Sequence, residues 1–354
     1  MSEEQAPAST GVAPLVVIVV LNWNKWKLTL DCLHSLSALA YQNYRILLID
    51  NGSTDDSLAH FENLPKQVAL VTNTDNLGYT GGNNTAMASA LAEGADYVWL
   101  VNNDAVVAPD SLSLLVAAAE RDPGLGMISP LLKGYEGDAE FNPAGLLVHL
   151  DRPALEVTTD TETARRWQET MPDRFALAGT ALLVRRALIE RTGGFDDRLF
   201  AYDEDIDLSI RCVQAGFRSA VVFAATVYHH PRPVSAADNR VVAPHVYYFM
   251  TRNDILLWRK HCTRGRAWKA ALWVLHRRLG HIRDWRLRGR HDDVVEAMLS
   301  GLWDGWRGVG GRYDPSRRMP APLRSLLLAS PGFWIGLLDT LSAIGGKRAK
   351  PTLR

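Results

Sequence analysis

Four carboxylates are crowded into five consecutive positions at a point where a helical pattern begins. They are Asp203, Glu204, Asp205 and Asp207. Apolar residues alternate with them, which predicts a helix packed on one side. Crowded carboxylates repel one another, so some should hold a proton more tightly than an isolated acid. This arrangement can supply a general base, and a solvated acidic helix start, favoured by the helix dipole, is the alternative.

The first hundred residues alternate between predicted strands and helices. Strands are predicted at 15–21, 45–49, 68–71 and 97–101, with helices at 28–39, 54–62 and 83–93. This alternation predicts an α/β protein with right-handed βαβ units and a mostly parallel sheet. Ligands of such sheets bind beyond the carboxyl ends of the strands. Polar residues stand at three of these ends: Asn22 and Asn24, then Asp50 and Asn51, then Asn102, Asn103 and Asp104.

The pattern becomes less regular after residue 127. Short strands are predicted at 146–150 and 182–184, and the polar segment 151–172 is predicted to be a loop over the sheet. A further strand is predicted at 219–228. After residue 247 the chain becomes helical, basic and rich in tryptophan.

A glycine-rich segment from Asn76 to Asn84 opens the third predicted helix. Backbone N–H groups at such a site can approach a phosphate, assisted by the helix N-terminus. The glycines at 78, 81 and 82 do not have the spacing of a dinucleotide-binding turn,. A tight loop before a small-residue helix is the alternative.

The segment Asn102-Asn103-Asp104 offers one carboxylate and two amide oxygens at a strand end. Mg²⁺ or a similar hard cation often takes only one or two carboxylates from the protein and completes its shell with substrate phosphates. His229, which follows the strand at 219–228, could supply an imidazole ligand. An Asn-rich turn and a structural histidine are the alternatives.

The overall balance of charge hides a strong asymmetry. The chain has 354 residues and a net charge of zero, but residues 1–254 carry 19 Lys and Arg against 32 Asp and Glu, whereas residues 255–354 carry 20 against 7. A basic C-terminal region is expected to meet an anionic surface. The three cysteines have neither disulfide nor metal-ligand spacing and fit buried thiols in a reducing compartment,.

These motifs, in this order, resemble the family-2 glycosyltransferases, inverting enzymes with the GT-A fold, and within them the rhamnosyltransferase-like bacterial branch. The resemblance covers residues 15 to about 260. It is carried by VVIVVLNWN, LLIDNGSTDDS, NLGYTGGNN, WLVNNDAVV, GGFDDRLFAYDEDIDLSIR and VYHH. It implies a GT-A catalytic domain over 14–254. The acidic, small-residue composition of 1–13 predicts a disordered lead, and the pattern of 255–354 predicts a basic, Trp-rich helical region.

The resemblance also implies roles for individual residues. Asp205, with its neighbour Glu204, matches the family's Glu-Asp pair, whose Asp acts as base. Asp104 and His229 would bind Mg²⁺ or Mn²⁺, although the family often has two acids where this chain has only Asp104. Asp50 would contact the nucleotide base. The other implied nucleotide-sugar-binding residues are Asn22, Asn24, Asn51, Asn76, Gly78, Gly82, Asn84, Asn102 and Asn103.

The implied activity is transfer of a sugar from a nucleoside-diphosphate sugar to a glycan or lipid-linked acceptor in cell-envelope polysaccharide synthesis. The branch favours dTDP-rhamnose as donor, with UDP-sugars such as UDP-galactofuranose as the alternative. A catalytically inactive glycan- or nucleotide-binding module of the same fold is a further alternative. A nicotinamide enzyme is disfavoured because the glycine-rich segment does not have the spacing of a dinucleotide-binding turn,.

The C-terminal region holds 7 of the 11 tryptophans, interleaved with Arg and Lys. Indole rings and cations both find favourable partners in the headgroup layer of a membrane. We therefore expect a cytoplasmic protein held peripherally on the inner face of the plasma membrane, with packing of the tryptophans on the catalytic domain as the alternative. Nucleic acid is not expected as a partner.

Overall fold

A large central sheet organises the chain. The computed structural model describes residues 13–134, 142–151, 153–229, 243–262, 267–287 and 292–329. Its strands are β1 (Val16–Asn22), β2 (Tyr44–Asp50), β3 (Val68–Thr72), β4 (Tyr97–Asn102), β5 (Ala105–Val107), β6 (Leu125–Gly134), β7 (Gly145–His149), β8 (Ala154–Thr158), β9 (Phe175–Ala176), β10 (Ala181–Arg185) and β11 (Arg218–His229). Apart from residue 13, the predicted disordered lead lies outside the described residues.

Helices cover both faces of the sheet and form the C-terminal region. They are α1 (Trp26–Ser37), α2 (Ser57–His60), α3 (Gly78–Ala92), α4 (Ser111–Arg121), α5 (Thr161–Thr170), α6 (Arg186–Thr192), α7 (Glu204–Gln214), α8 (Pro244–His261), α9 (Ala267–Leu287), α10 (Asp292–Arg307) and α11 (Ala321–Ala329). The helix predicted at the crowded carboxylates is α7.

The central sheet has eight strands in the order β3-β2-β1-β4-β10-β6-β11-β5. Six of them run in one direction, and β10 and β5 run against the others. This confirms the predicted α/β architecture with a mostly parallel sheet. β1 is flanked by β2 and β4, and its residues 16–20 are at most 1% exposed. Burying each such side chain contributes about 1.5–3 kcal/mol, so the β-branched run anchors the sheet.

Two hydrophobic clusters lie on opposite faces of the sheet. On one face, Leu36 of α1 and Leu115 of α4 pack with β1 and β2. On the other face, Met87 of α3, Leu188 of α6 and Leu208 of α7 pack with β4 and β10. The start of α7 is thereby fixed relative to the sheet.

The prediction of a loop over 151–172 is wrong. This segment contains β8, which joins β7 and β9 in a small antiparallel sheet, and then α5. Asp160 caps α5 by accepting a hydrogen bond from the Thr163 N–H at 2.8 Å. Only Ala164 of α5 is buried, so the helix leaves almost no apolar periodicity in the sequence,.

The C-terminal helices share a hydrophobic core with the rest of the molecule. Ile206 and Ile210 of α7 pack in one cluster with Trp258 of α8 and Met298 of α10. The position predicted as the end of the catalytic domain, residue 254, lies inside α8. Within the described ranges, every helix is too short or too polar to cross a membrane.

Candidate active site

The carboxyl ends of β1, β2 and β4 bring polar side chains to one edge of the sheet. Asn22 is aligned with Asp50 across the β1–β2 pair, and Leu21 with Asn102 across the β1–β4 pair. The Asn22 amide donates to the Asp50 carboxylate at 2.9 Å and to the Ser53 hydroxyl at 3.0 Å. The predicted convergence of these strand ends is therefore confirmed.

The Asp50 side chain is buried and belongs to a turn. It accepts hydrogen bonds from the Ser53 N–H at 3.0 Å and the Ser53 hydroxyl at 2.6 Å. Asn24, which has a left-handed backbone (φ 56°), accepts from the Thr54 N–H at 2.7 Å and so fixes the same turn. The contact of Asp50 with a nucleotide base stays a prediction, as does the role of Asn24.

Asn51 links the end of β2 to the glycine-rich segment. Its amide donates to the Asn76 side chain at 3.1 Å and to the Gly78 carbonyl at 3.0 Å. Its carbonyl oxygen accepts from the side chain of Asn73 at 3.0 Å and from the Leu77 N–H at 3.2 Å. The glycine-rich segment is thus held against the end of β2.

The glycines of this segment lie inside α3 and not in a turn before it. Gly78 has φ 77°, and a Cβ atom there would approach the Phe200 carbonyl oxygen to 2.4 Å. A Cβ atom at Gly82 would meet the Leu21 side chain at 2.5 Å. Both glycines therefore permit the close approach of α3 to neighbouring backbone and core.

Asn84 faces the segment before the crowded carboxylates. Its side chain donates to the Phe195 carbonyl at 2.9 Å and accepts from the Phe195 N–H at 2.7 Å. It also donates to Asp197 at 2.7 Å. The observed contacts thus connect α3 to the segment that leads to α7.

Asp104 and His229 are brought together by strand pairing. In the antiparallel β5–β11 pair, His229 is aligned with Ala105, the residue after Asp104. The Nε2 atom of His229 lies 3.2 Å from Oδ1 of Asp104, and its Nδ1 atom lies 3.2 Å from Oδ1 of Asn142. Side-chain contacts on both ring nitrogens fix the imidazole at this edge.

This pair fits a hard divalent cation. Two cis ligands at the 2.0–2.1 Å bond length of octahedral Mg²⁺ stand about 3.0 Å apart, close to the observed distance of 3.2 Å between Asp104 and His229. The buried Oδ1 atom of Asn102 has no hydrogen-bond partner among the described residues, which leaves an oxygen ligand nearby in sequence. Asn103 instead donates to the Thr29 hydroxyl at 2.9 Å. The described residues contain no group of three or more His, Cys, Asp or Glu ligands, so substrate oxygens would complete the shell.

Asp205 is held by two backbone N–H groups. Its Oδ2 atom accepts from Gly179 at 2.7 Å, and its Oδ1 atom accepts from Ile206 at 2.8 Å. Burial raises the pKa of Asp205 above its ordinary value, and these hydrogen bonds offset part of that increase,. The carboxylate is therefore fixed in space and more basic than an exposed one.

The two preceding acids are perturbed in the same direction. Burial, followed by repulsion from Asp205, raises the pKa of Glu204 well above its ordinary value. Burial, followed by the charges of Asp254 and Asp205, raises the pKa of Asp203 to about 7. The Oε2 atom of Glu204 is buried without a hydrogen-bond partner among the described residues. A solvated acidic helix start is therefore not what the structure contains.

Asp207 is separated from this group. It is fully buried and pairs with Arg211, Lys260 and His261, each at 2.7 Å. Burial opposes its ionisation, but the His261 hydrogen bond and the two cations outweigh it and lower the pKa of Asp207. The fourth carboxylate therefore joins α7 to the end of α8.

Tyr79 and Gly179 are site residues that the sequence analysis missed. The Tyr79 hydroxyl donates to the Gly179 carbonyl at 2.9 Å. Burial, followed by the charges of Glu204, Asp205 and Asp104, raises the pKa of Tyr79 well above its ordinary value. Gly179 stands just before β10. A glycine before an apolar strand is so common that the sequence alone does not mark Gly179 as a site residue.

The segment from Arg198 to Asp203, which we call the carboxylate loop, has an unusual backbone. Phe200, Tyr202 and Asp203 have φ angles of 64°, 71° and 65°. A left-handed backbone costs about 1–2 kcal/mol for each residue with a side chain. The loop therefore needs support from its surroundings.

Comparison with known proteins places this geometry in a family. Residues 13–241 match the family model described as "Glycosyltransferase like family 2". This chain belongs to that family. It is a glycosyltransferase that uses a nucleotide sugar, and the strand ends, the glycine-rich segment and the acids at α7 all lie within the matched residues.

Curated relatives of this glycosyltransferase include a rhamnosyltransferase and a galactofuranosyltransferase. An N-acetylglucosaminyl-diphospho-decaprenol L-rhamnosyltransferase of Mycobacterium tuberculosis is 32% identical over 249 residues, which cover 64% of this chain and 81% of the relative. The galactofuranosyltransferase GlfT1 of Mycobacterium tuberculosis is 28% identical over 191 residues, or 52% of this chain and 60% of the relative.

Solved structures share the fold over nearly the whole chain. A complex of Staphylococcus aureus TarS 1–349 with UDP-GlcNAc has a TM-score of 0.57 and 15% identity, covering 95% of this chain and 93% of that one. The mannosyltransferase PcManGT from Pyrobaculum calidifontis, in complex with GDP-Man and Mn²⁺, has a TM-score of 0.53 and 16% identity, covering 96% and 90%. At these identities the likeness establishes the GT-A fold.

We predict that Glu204→Gln stabilises the protein at neutral pH. In the unfolded chain Glu204 ionises with a pKa of about 4.3, whereas its raised pKa in the folded chain delays ionisation. The raised pKa of Glu204 therefore lowers the free energy of unfolding, and this loss is absent below about pH 4 and grows as the pH rises. The melting temperature should rise by at least about 2 °C at pH 7.5 and stay unchanged at pH 4. Glu190→Gln, which alters an exposed ion pair with Arg186, is the control and should change the melting temperature little at either pH. Equal melting temperatures of wild type and Glu204→Gln at pH 7.5 would contradict the prediction.

Proposed function

We propose that this chain is an inverting transferase that moves rhamnose from dTDP-rhamnose to a lipid-linked glycan acceptor in cell-envelope polysaccharide synthesis. One observation carries the proposal: two adjacent residues join Asp205, the glycine-rich segment and the end of β4. The Gly179 N–H holds Asp205 and its carbonyl accepts from Tyr79, while the Thr180 carbonyl accepts from the Asn102 N–H at 2.9 Å. The base, the glycine-rich segment and the strand end that leads to Asp104 therefore meet at one place.

The proposed reaction needs one base. The acceptor hydroxyl oxygen attacks the anomeric carbon from the face opposite the nucleoside diphosphate, and Asp205 takes the hydroxyl proton. The bond between the anomeric carbon and the diphosphate oxygen breaks, and its electron pair leaves with the diphosphate. A base works best when its pKa lies near the operating pH, and the raised pKa of half-buried Asp205 moves it in that direction.

Asp104 and His229 would hold Mg²⁺ or Mn²⁺. A divalent cation at this position supplies positive charge to the leaving diphosphate. The single carboxylate of this pair makes binding of the metal dependent on the diphosphate oxygens of the donor. The Mn²⁺ found with the mannosyltransferase of the same fold supports this assignment.

The donor sugar is inferred from the relatives. The rhamnosyltransferase relative matches more of this chain, and at higher identity, than GlfT1 does. We therefore favour dTDP-rhamnose, with UDP-galactofuranose as the second candidate. The diphospho-decaprenol in the name of the rhamnosyltransferase supports a lipid-linked acceptor.

The C-terminal helices offer apolar side chains to a membrane surface. Trp306 of α10 is 59% exposed, and Leu323 and Leu326 of α11 are 41% and 52% exposed. Trp258, in contrast, is buried and donates to Asp254 at 2.8 Å. Packing therefore accounts for Trp258, and we propose that the exposed side chains, with the basic charge of residues 255–354, hold the enzyme on the cytoplasmic leaflet.

A panel of sugar nucleotides tests the donor. We expect purified protein to bind and slowly hydrolyse dTDP-rhamnose in preference to UDP-galactofuranose, UDP-GlcNAc and GDP-mannose. Calorimetry and detection of the released nucleoside diphosphate measure binding and hydrolysis. Preference for UDP-galactofuranose would replace the first candidate with the second.

Asp205→Asn should abolish transfer while leaving donor binding nearly intact. Asn keeps the shape of the side chain but cannot accept the proton, and loss of such a base typically costs about 10²–10⁴-fold in kcat. Asp122→Asn, which removes a carboxylate paired with Arg218 near the other end of the sheet, is the control. A kcat for Asp205→Asn within a few-fold of wild type would refute its assignment as base.

Asp104→Ala should remove metal-dependent donor binding, because its carboxylate is the only anionic side chain in Asn102-Asn103-Asp104. Wild-type activity should disappear in EDTA and return with Mg²⁺ or Mn²⁺. The readouts are metal-dependent binding of the nucleoside diphosphate and transfer rate. Full activity in excess chelator would mean that the site works without metal.

Vesicle binding should depend on anionic lipid and on the exposed side chains. Basic residues near an anionic leaflet contribute about 1 kcal/mol each, and salt screens this part. The full chain should co-sediment with anionic vesicles, and the double variant Trp306→Ser with Leu326→Ser should bind more weakly. Leu58→Ser, which alters a 44% exposed side chain of α2, is the matched control. Equal binding to neutral and anionic vesicles, or none to either, would contradict the proposal.

A further inference from the structure

The carboxylate loop presents the acids of the site in a backbone that its own residues disfavour. Three of the four non-glycine residues with positive φ in the described part of the chain are Phe200, Tyr202 and Asp203. Asp203 immediately precedes α7 and its carbonyl accepts from the Asp207 N–H at 2.9 Å. The direction of the first turn of α7, which carries Glu204 and Asp205, therefore depends on what holds this loop.

Asn253 of α8 binds the loop through its backbone. The Asn253 side chain is fully buried, and its Nδ2 atom donates to three loop carbonyls. They belong to Leu199 at 3.0 Å, Ala201 at 2.7 Å and Tyr202 at 2.8 Å. Hydrogen bonds to carbonyls on both sides of Phe200 fix its left-handed backbone directly.

Arg252 binds the start of the same loop. Its Nη2 atom donates to the carbonyls of Arg198 at 3.0 Å and Leu199 at 2.6 Å, and its Nη1 atom donates to the Gly311 carbonyl. Its Nε atom donates to Asn253 Oδ1 at 2.9 Å, which orients the Asn253 amide. The guanidinium is fully buried, and none of these hydrogen bonds goes to a carboxylate. The Arg252 Cζ atom also lies 5.2 Å from the Tyr248 ring centroid and 5.0 Å from that of Phe249, and the negative charge of Asp304 favours the charged form of Arg252. The guanidinium is therefore held on several sides while its N–H groups face the loop.

The donor side of the site holds the same loop from the opposite direction. The Thr80 N–H, in the first turn of α3, donates to the Phe200 carbonyl at 3.1 Å, and Gly78 leaves room for that carbonyl. The Phe200 ring stacks on Phe249 of α8 with centroids 5.2 Å apart. The loop is therefore clamped between the donor-binding segment and α8.

We propose that Arg252 and Asn253 are positioning residues that hold Asp205 in line with the acceptor hydroxyl by clamping the carboxylate loop. This inference rests on the proposed function, in which Asp205 is the base. Neither residue needs to touch substrate. Misplacing a reacting group by about 1 Å can cost on the order of 10²-fold in rate, and loss of the clamp is expected to act in this way.

Two variants of the full chain test the clamp. Asn253→Ala removes three hydrogen bonds to the loop, and Arg252→Lys keeps the charge but loses the forked geometry. We expect each to lower kcat by about 10–100-fold while the dissociation constant of dTDP stays within about two-fold. Arg185→Lys is the matched control, because Arg185 also binds backbone carbonyls, those of Leu125 and Ala119, near the other end of the sheet. It should lower the melting temperature without lowering kcat.

A double variant separates positioning from a general loss of stability. If Asn253 acts through Asp205, adding Asn253→Ala to Asp205→Asn should slow transfer no further. An unchanged kcat for Asn253→Ala, or independent losses in the double variant, would overturn the clamp. If Asn253→Ala does not fold, Arg252→Lys and its double variant with Asp205→Asn decide by the same criteria. Activity retained by Asp205→Asn itself would instead refute the proposed function.

Discussion

Placing like charges side by side in a buried site is the constraint that shapes this enzyme. Asp203, Glu204 and Asp205 are consecutive, and burial raises the pKa of each. A buried carboxylate without partners would simply take up a proton and lose its use as a base. The backbone N–H groups of Gly179 and Ile206 favour the charged form of Asp205 alone, so the acids become chemically different although they are neighbours in the chain.

The hydrogen bonds that favour the charged form of Asp205 depend on elements that are far apart in the sequence. Gly179 reaches Asp205 because β10 runs antiparallel to β4 and begins at the edge where β4 ends. The loop before α7 keeps its direction because α8 and the first turn of α3 hold it on two sides. The C-terminal helices are therefore part of the structure that holds the acids of α7 in place, and their shared core with α7 fixes that relation.

The sequence predicted the parts of this site that depend on local pattern. Continuous apolar runs marked β1, β2 and β4, and the polar residues after them converge because parallel strands end at one edge. The long strand β6 and helix α5 were missed because they lack a strong apolar period. Tyr79, Gly179, Arg252 and Asn253 could not be predicted, since their roles arise from contacts between distant segments. Asp207 was grouped with the other acids by position, but its pairing with Lys260 and His261 depends on where α8 ends.

The placement of α8 has a consequence for dissecting the protein. The family match ends at residue 241, just before α8 begins at Pro244. A fragment cut at that boundary would keep every residue aligned with the family, including Asp104, Asp205 and His229. It would nevertheless lose Arg252 and Asn253, which hold the carboxylate loop, and Lys260 and His261, two of the partners of buried Asp207. It would also expose the apolar side of α7. On the proposed role of the clamp, the catalytic unit extends beyond the family-defined domain, and the family boundary is a poor guide to where this chain can be divided.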